Sequence, residues 1–153
     1  MRMKFLFYYQ IYTEIEISAT KEIVFSVITN LTDYKIWNPH IYHLDGNANE
    51  GNFIKIILHW PDLKSNIYYL KITEFKENEK LSWTGIFKFP GLLNGNHSFV
   101  IKETSKDKVL LIHKESFSGI LVPIFKPWLK GSITKGFINI NNSLKHFSEN
   151  LTL

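Results

Sequence analysis

The sequence predicts an α+β fold in which an antiparallel sheet wraps on a long C-terminal helix. Three observations carry that prediction. Seven segments, one near the start and six between residues 40 and 119, read as strands from their alternation and their flanking turn residues. The connections among those six are too short for parallel crossovers, which need about a dozen residues or more. From Leu129 to Phe147 the apolar residues instead fall at helical spacing. A chain of 153 residues has the size of one domain, so residues 1–153 are expected to form a single unit.

Residues 5–17 alternate, with Tyr9, Ile11, Thr13, Ile15 and Ile17 on one face and Tyr12, Glu14 and Glu16 on the other, the pattern of a half-buried strand. The period changes after Ser18, where Ser18, Thr20 and Glu22 supply cap and first-turn residues. Ile23, Val24, Val27, Ile28 and Leu31 then predict a short helix to about Asn30. Residues 32–37 suit a second small helix, which Pro39 stops because the residue before proline is driven out of the α region. Strands are expected over 41–45, 51–60, 65–76, 80–88, 95–105 and 109–118. Their boundaries are Asp45-Gly46-Asn47, Pro61-Asp62, Glu77-Asn78-Glu79, Pro90-Gly91 with Asn94-Gly95, and Lys106-Asp107-Lys108. Leu129, Ile133, Phe137, Ile140, Leu144 and Phe147 share one face of a helix of about 20 residues, with Pro127 suited to its first turn.

Composition excludes several classes of function. With 44% hydrophobic, 21% charged and 15% aromatic residues the chain is neither disordered nor membrane-spanning, and no run of about 18 apolar residues exists to give stable membrane insertion. The absence of cysteine removes thiol nucleophiles, disulfides, iron–sulfur clusters and Cys-based zinc sites. The net charge is +4, but the lysines are scattered singly and interleaved with glutamates, so no nucleic-acid partner is expected. Met1 to Tyr9 is basic and then apolar, yet the run is short and no small-residue cleavage site follows, so it reads as mature protein in the cytoplasm. No Gly-x-Ser-x-Gly elbow, glycine-rich phosphate loop or His-Glu-x-x-His motif occurs, and neither cofactor nor metal is expected.

Certain residues resemble a known superfamily. Ile17-Ser18-Ala19 ahead of Val24-Phe25, then Asp33-Tyr34 and Trp37-Asn38-Pro39, resemble the opening of SRPBCC (START-like, helix-grip) proteins. Leu81-Ser82-Trp83, Pro90-Gly91-Leu92, the segments 95–99 and 113–119, and Gly136-Phe137 leading to Asn142-Ser143-Leu144-Lys145 resemble the polyketide cyclase/dehydrase-like branch. The resemblance covers nearly the whole chain. It implies a helix-grip fold, with a seven-stranded antiparallel sheet curled around the C-terminal helix, two small helices after the first strand, and a cavity for an apolar ligand between sheet and helix. It implies less about activity, because the superfamily includes lipid carriers, hormone receptors, aromatic cyclases and chaperone cofactors.

Alternation then suggests what faces the cavity. Val109, Leu111, His113, Glu115 and Phe117 share a face, and it is the inner one because Lys114 on the other face is the worse residue to bury. His97, Phe99 and Ile101 follow from the preceding strand, and Leu81, Trp83 and Phe87 from the one before. A three-residue loop, 106–108, would pair Ser105 with Val109, setting Phe99 opposite Glu115 and Ile101 opposite His113. Glu115 in a greasy interior must find a donor or remain protonated, and His113 and His97 are the nearest candidates. These three are the candidate catalytic residues, suited to general acid–base work on a carbonyl. They suit equally well a polar network that stiffens the sheet or orients a ligand's single polar group.

Apolar lining is expected from Trp83, Phe99, Ile101, Leu111 and Phe117 of the sheet and from Phe137 and Ile140 of the helix. Trp37 and Asn38 form either a cavity wall, with Asn38 bonding ligand or backbone, or a packed corner. Tyr68 is an ambiguous liner, and His40, His43, His59 and His146 read as peripheral. Phe89, Leu92 and Leu93 make an unusually apolar loop, and residues 120–125 are equally apolar. If the two segments meet, they form a lid, a patch for membrane or partner, or a simple packing contact. The function expected is binding of a small hydrophobic molecule of lipid, polyketide or aromatic type. The alternatives are a cyclase/dehydrase-type enzyme using His113, Glu115 and His97, and a chaperone-cofactor-like interaction module with an unknown protein partner.

Overall fold

The computed structural model describes residues 7–60, 63–86 and 89–151, with His43 described in its backbone alone. Expectations for residues 5–6, Pro61-Asp62 and Phe87 therefore lie outside the described residues.

The first strand, β1 (Tyr8–Ile17), buries Ile11 and Ile17 and leaves its even-numbered residues exposed. Thr20 then accepts the Ile23 N–H at 3.3 Å, capping α1 (Lys21–Thr29), which buries Val24, Phe25, Val27 and Ile28. A 3-10 turn (Leu31–Asp33) and α2 (Tyr34–Trp37) follow, ending where Asn38 turns extended ahead of Pro39. The remaining strands are β2 (Ile41–Asp45), β3 (Phe53–Leu58), β4 (Asn66–Lys76), β5 (Lys80–Ile86), β6 (Asn94–Ser105) and β7 (Lys108–Ser118). All pairings are antiparallel, in the order β1-β7-β6-β5-β4-β3-β2, so the first strand is drawn across to lie beside the last.

The last strand leads into α3 (Val122–Trp128), a π-helical turn (Leu129–Ile133) and α4 (Thr134–Glu149), together a continuous helix of 28 residues. This corrects the expected length and start. Pro123, not Pro127, occupies the first turn, where a missing N–H costs nothing. Pro127 lies inside α3, and the widened turn that follows absorbs the disturbed hydrogen-bond ladder. Most of the apolar segment 120–125 is accordingly helix and not loop.

The β6–β7 register is also corrected. His97 pairs with Glu115, Phe99 with His113 and Ile101 with Leu111, a displacement of two residues from the expected pairing. The turn is the two-residue Lys106-Asp107, with Ser105 opposite Lys108, and a bulge between Glu103 and Ser105 adds one residue to β6. An even loop alone would have put His97 and His113 on opposite faces of the sheet. The bulge restores the parity, so the inner face is the expected one.

Two apolar clusters lie between sheet and helix. The larger gathers Ile17, Phe25, Ile28, Trp37, Ile54, Trp83, Phe99, Leu111, Ile140 and Leu144. The smaller, at the other end, gathers Ile11, Trp60, Leu129, Ile133 and Phe137, with Tyr9, Phe117, Phe125 and Trp128 packed beside it.

Candidate functional site

Where the clusters meet, a hydrogen-bonded chain crosses from β1 to β6. Thr13 Oγ1 lies 2.8 Å from the His113 carbonyl, which can only accept, so the Thr13 hydroxyl donates to it. With its proton committed, Thr13 Oγ1 accepts from Asn141 Nδ2 at 2.9 Å. The Asn141 amide is thereby oriented with Oδ1 toward His113 Nδ1, 2.7 Å away, and that ring nitrogen must donate. His113 Nε2 is then bare and accepts from His97 Nε2–H at 3.0 Å. His97 Nδ1 is bare in turn, and it faces Glu115 Oε2 at 3.5 Å.

Two acceptors cannot bond across that last gap, so the direction imposed by Thr13 requires the proton on Glu115. Burial acts in the same sense. It pushes the Glu115 carboxyl up to about 8, drives His97 down to about 3, and holds His113 well below the usual imidazole range, with the neighbouring His97 adding to that depression and the Asn141 bond opposing it. All three groups are neutral near pH 7.

Rings hold the chain in place. His113 is sandwiched between Phe99 (4.4 Å, 22°) and Phe137 (4.2 Å, 17°). His97 lies flat on Trp83 at 4.4 Å and 3°, with Phe99 edge-on at 4.9 Å. At this level rings span the interval from sheet to helix. The histidine nitrogens point at each other and not at a common point, and among the described residues no group of three or more metal-ligating side chains is positioned to hold an ion.

Glu115 marks the open end of this stack. Its side chain keeps 21% exposure, while His113 is wholly enclosed. The carboxyl lies over Gly95, where a Cβ would stand 2.7 Å from Oε1, so the carboxyl in this position needs glycine beneath it, while the Phe117 ring at 4.0 Å would be in ordinary contact. Phe117 and Leu92 are half-buried, whereas Phe89 is exposed. At the closed end Ile101, Leu111 and Ile140 are core. Trp37 packs on Tyr34 at 4.6 Å, and Asn38 Oδ1 accepts the backbone N–H groups of His40 and Ile41 at 3.0 and 3.1 Å. Asn38 thus bonds backbone. Tyr68 is half-buried against the larger cluster. Two surface depressions, one at Ser26, Asn30 and Phe147 and one at Lys21, Lys76 and Glu103, lie apart from this chain.

Three residues escaped the sequence reading of the site. Asn141 is a polar residue on the apolar stripe between Phe137 and Leu144, and that misfit was its signal. Thr13 was placed on the inner face, but its role depends on the β1–β7 pairing that sets it opposite His113. His40, read as peripheral, is buried. It stacks on Trp60 at 4.4 Å and its Nδ1 donates to the His59 carbonyl at 3.3 Å, while burial lowers its pKa.

No model of a protein family matches this sequence, and no curated protein matches it. Solved structures do. The chain is similar to the Zhui aromatase/cyclase from Streptomyces sp. R1128, with a TM-score of 0.77 at 10% identity over 93% of this chain and 94% of that one. A START superfamily protein from Mycobacterium smegmatis gives a TM-score of 0.77 at 17% identity over 94% and 99%. The chain has the START-like helix-grip fold. Norcoclaurine synthase from Thalictrum flavum, solved in complex with dopamine and hydroxybenzaldehyde, shares the helix grip with a TM-score of 0.73 at 12% identity over 95% and 90%. In this helix-grip protein the Thr13–Glu115 chain runs across the inner face of the sheet and is tied to the gripped helix through Asn141.

Proposed function

We propose that this protein binds a small, mostly apolar molecule between sheet and helix, at the Glu115 end of the ring stack, and that the ligand's one polar group is a hydrogen-bond donor. One observation carries the reading: the chain anchored at Thr13 leaves Glu115 a neutral acid at the open end of an aromatic interior. Its hydroxyl is directed to His97, so Oε1, lying over Gly95, is the atom offered to a ligand, and it accepts. A carboxylate ligand would meet an oxygen there and no cation. Phe117, Leu92 and Phe137 supply apolar surface. The similar folds include an aromatase/cyclase and a protein solved with dopamine and hydroxybenzaldehyde, both small aromatic molecules, which supports an apolar ligand of this size.

Fluorescence titration with naphthol and its methyl ether tests the reading. An unmet buried acceptor costs on the order of 1–3 kcal/mol, so naphthol should bind about tenfold more tightly than the ether, and Glu115→Ala should erase the difference. Equal affinities, or no binding of either, would overturn it.

A second reading, acid–base catalysis of the cyclase/dehydrase type, draws support from the continuity of Glu115, His97 and His113, through which a proton can pass between ligand and interior. Glu115→Gln separates the two. The amide keeps both hydrogen bonds but cannot exchange a proton, so an enzyme loses turnover at nearly unchanged affinity and a carrier loses nothing.

A further inference from the structure

The two apolar segments singled out in the sequence do meet, and they meet in the open. Ile120 N–H donates to the Gly91 carbonyl at 3.1 Å and Leu121 N–H to the Leu92 carbonyl at 3.0 Å, binding the β5–β6 loop to the start of α3. The junction half-buries Leu92, Leu93 and Leu121 and leaves three other large apolar side chains in the open. Phe89, Ile120 and Ile124 remain 67%, 59% and 70% exposed at the same end of the molecule. Scattered exposed apolar residues need no explanation, but three on two joined segments make a patch.

Formal charge in the two joined segments is of one sign: residues 89–94 carry none, and residues 116–130 carry only Lys126 and Lys130. Neither residues 80–102 nor residues 116–148 contain any Asp or Glu, although acidic residues occur through the rest of the chain. Lys126 and Lys130 follow Ile124 on the helix; Lys130 is exposed, and Lys126 Nζ lies 6.0 Å from the Tyr9 ring. Exposed apolar side chains on segments whose only charged residues are lysines match the headgroup boundary of an anionic bilayer, where acyl chains take the former and lipid phosphates the latter. A second copy of the chain would bring lysine against lysine.

We propose that this end of the molecule docks reversibly on anionic lipid surfaces, through Phe89, Ile120 and Ile124 as apolar anchors and Lys126 and Lys130 as phosphate partners. The attachment is peripheral, because no helix among the described residues is long and apolar enough to cross a membrane. It places the Glu115 end of the interior near the lipid, but it does not depend on what that interior binds.

Vesicle flotation of the full chain tests this, with phosphatidylcholine alone and mixed with phosphatidylglycerol. The protein should float with the mixed vesicles and not the neutral ones, and added salt should release it. Lys126→Gln and Lys130→Gln should each lower partitioning about fivefold, and Ile120→Glu with Ile124→Glu should abolish it. All four side chains lie outside the buried core, so thermal melting should be unchanged. Absence of flotation, flotation indifferent to these substitutions, or a dimer that the Ile→Glu pair dissociates without any lipid binding would each overturn the proposal.

Discussion

A buried carboxyl that is neutral because its neighbours leave it no donor has a signature in the pH dependence of stability. The unfolded chain ionises Glu115 near 4.5 while the folded one holds its proton to about 8, so this group favours the fold at low pH and loses that contribution as pH rises between those values. His97 and His113 act oppositely. Their folded values are depressed, that of His97 to about 3, so their contribution is full above 6.5 and is lost as pH falls below it. Two histidines outweigh one carboxyl below 6.5, and Glu115 acts alone above it. Stability should therefore peak near pH 6.5 and decline toward pH 8 by at most roughly 1 kcal/mol per pH unit. Glu115→Gln should flatten the decline above pH 6.5 and steepen the rise between 4.5 and 6.5, where Glu115 opposes the histidines, as read by urea denaturation across the range; an unaltered decline would show that Glu115 is ionised in the fold. His97, His113 and Glu115 were legible in the sequence because three ionisable groups on an apolar face are conspicuous. Protonation of Glu115 was one of the two outcomes the sequence left open, and the choice was not legible because it is dictated by Thr13 through Asn141, a residue 128 positions along the chain.

At the scale of elements, the described boundaries of the six strands after residue 40 were legible to within two residues because turns declare themselves by composition. Register was not, because the bulge at Thr104 carries no glycine or proline to announce it. The helix start was obscured for a related reason: Pro123 and Pro127 both look like first-turn residues, and only the packing of Val122 into the core decides between them. How closely the helix lies on the sheet rests on one position. A Cβ at Gly136 would stand 2.0 Å from Trp60 Cζ3 and 3.2 Å from His40 Nε2, so the Trp60 ring lies directly on the α4 backbone. Gly136→Ala should gain about 1 kcal/mol of helix propensity and lose more by overpacking, typically about 1–3 kcal/mol. With an overlap of that depth on a ring already stacked against His40, a net loss is expected, measurable as a lowered denaturation midpoint. A gain would show that Trp60 can leave this seat freely.

For the molecule as a whole, the ring stack joins two apolar clusters that otherwise meet at the half-buried Leu58. Phe99 belongs to the larger cluster and Phe137 to the smaller, with His113 between them at 4.4 and 4.2 Å. These three rings form one of the contacts between the sheet and its gripped helix, beside those of Ile140 and Leu144, so the space available to a ligand and the stability of the fold draw on some of the same side chains. Phe137→Ala should cost about 3–5 kcal/mol, because a ring fixed on both sides leaves a cavity that cannot collapse without moving His113. The same substitution opens volume beside His113 and His97, the latter facing Glu115, so the variant should bind naphthol more tightly than the parent while unfolding at lower urea. Phe137→Leu, which keeps most of the buried surface but not the flat face, should lie between the two on both measurements. Stability and affinity moving in opposite directions would identify Phe137 as the plug of the interior. A parallel fall of both would make it a wall against which the ligand packs.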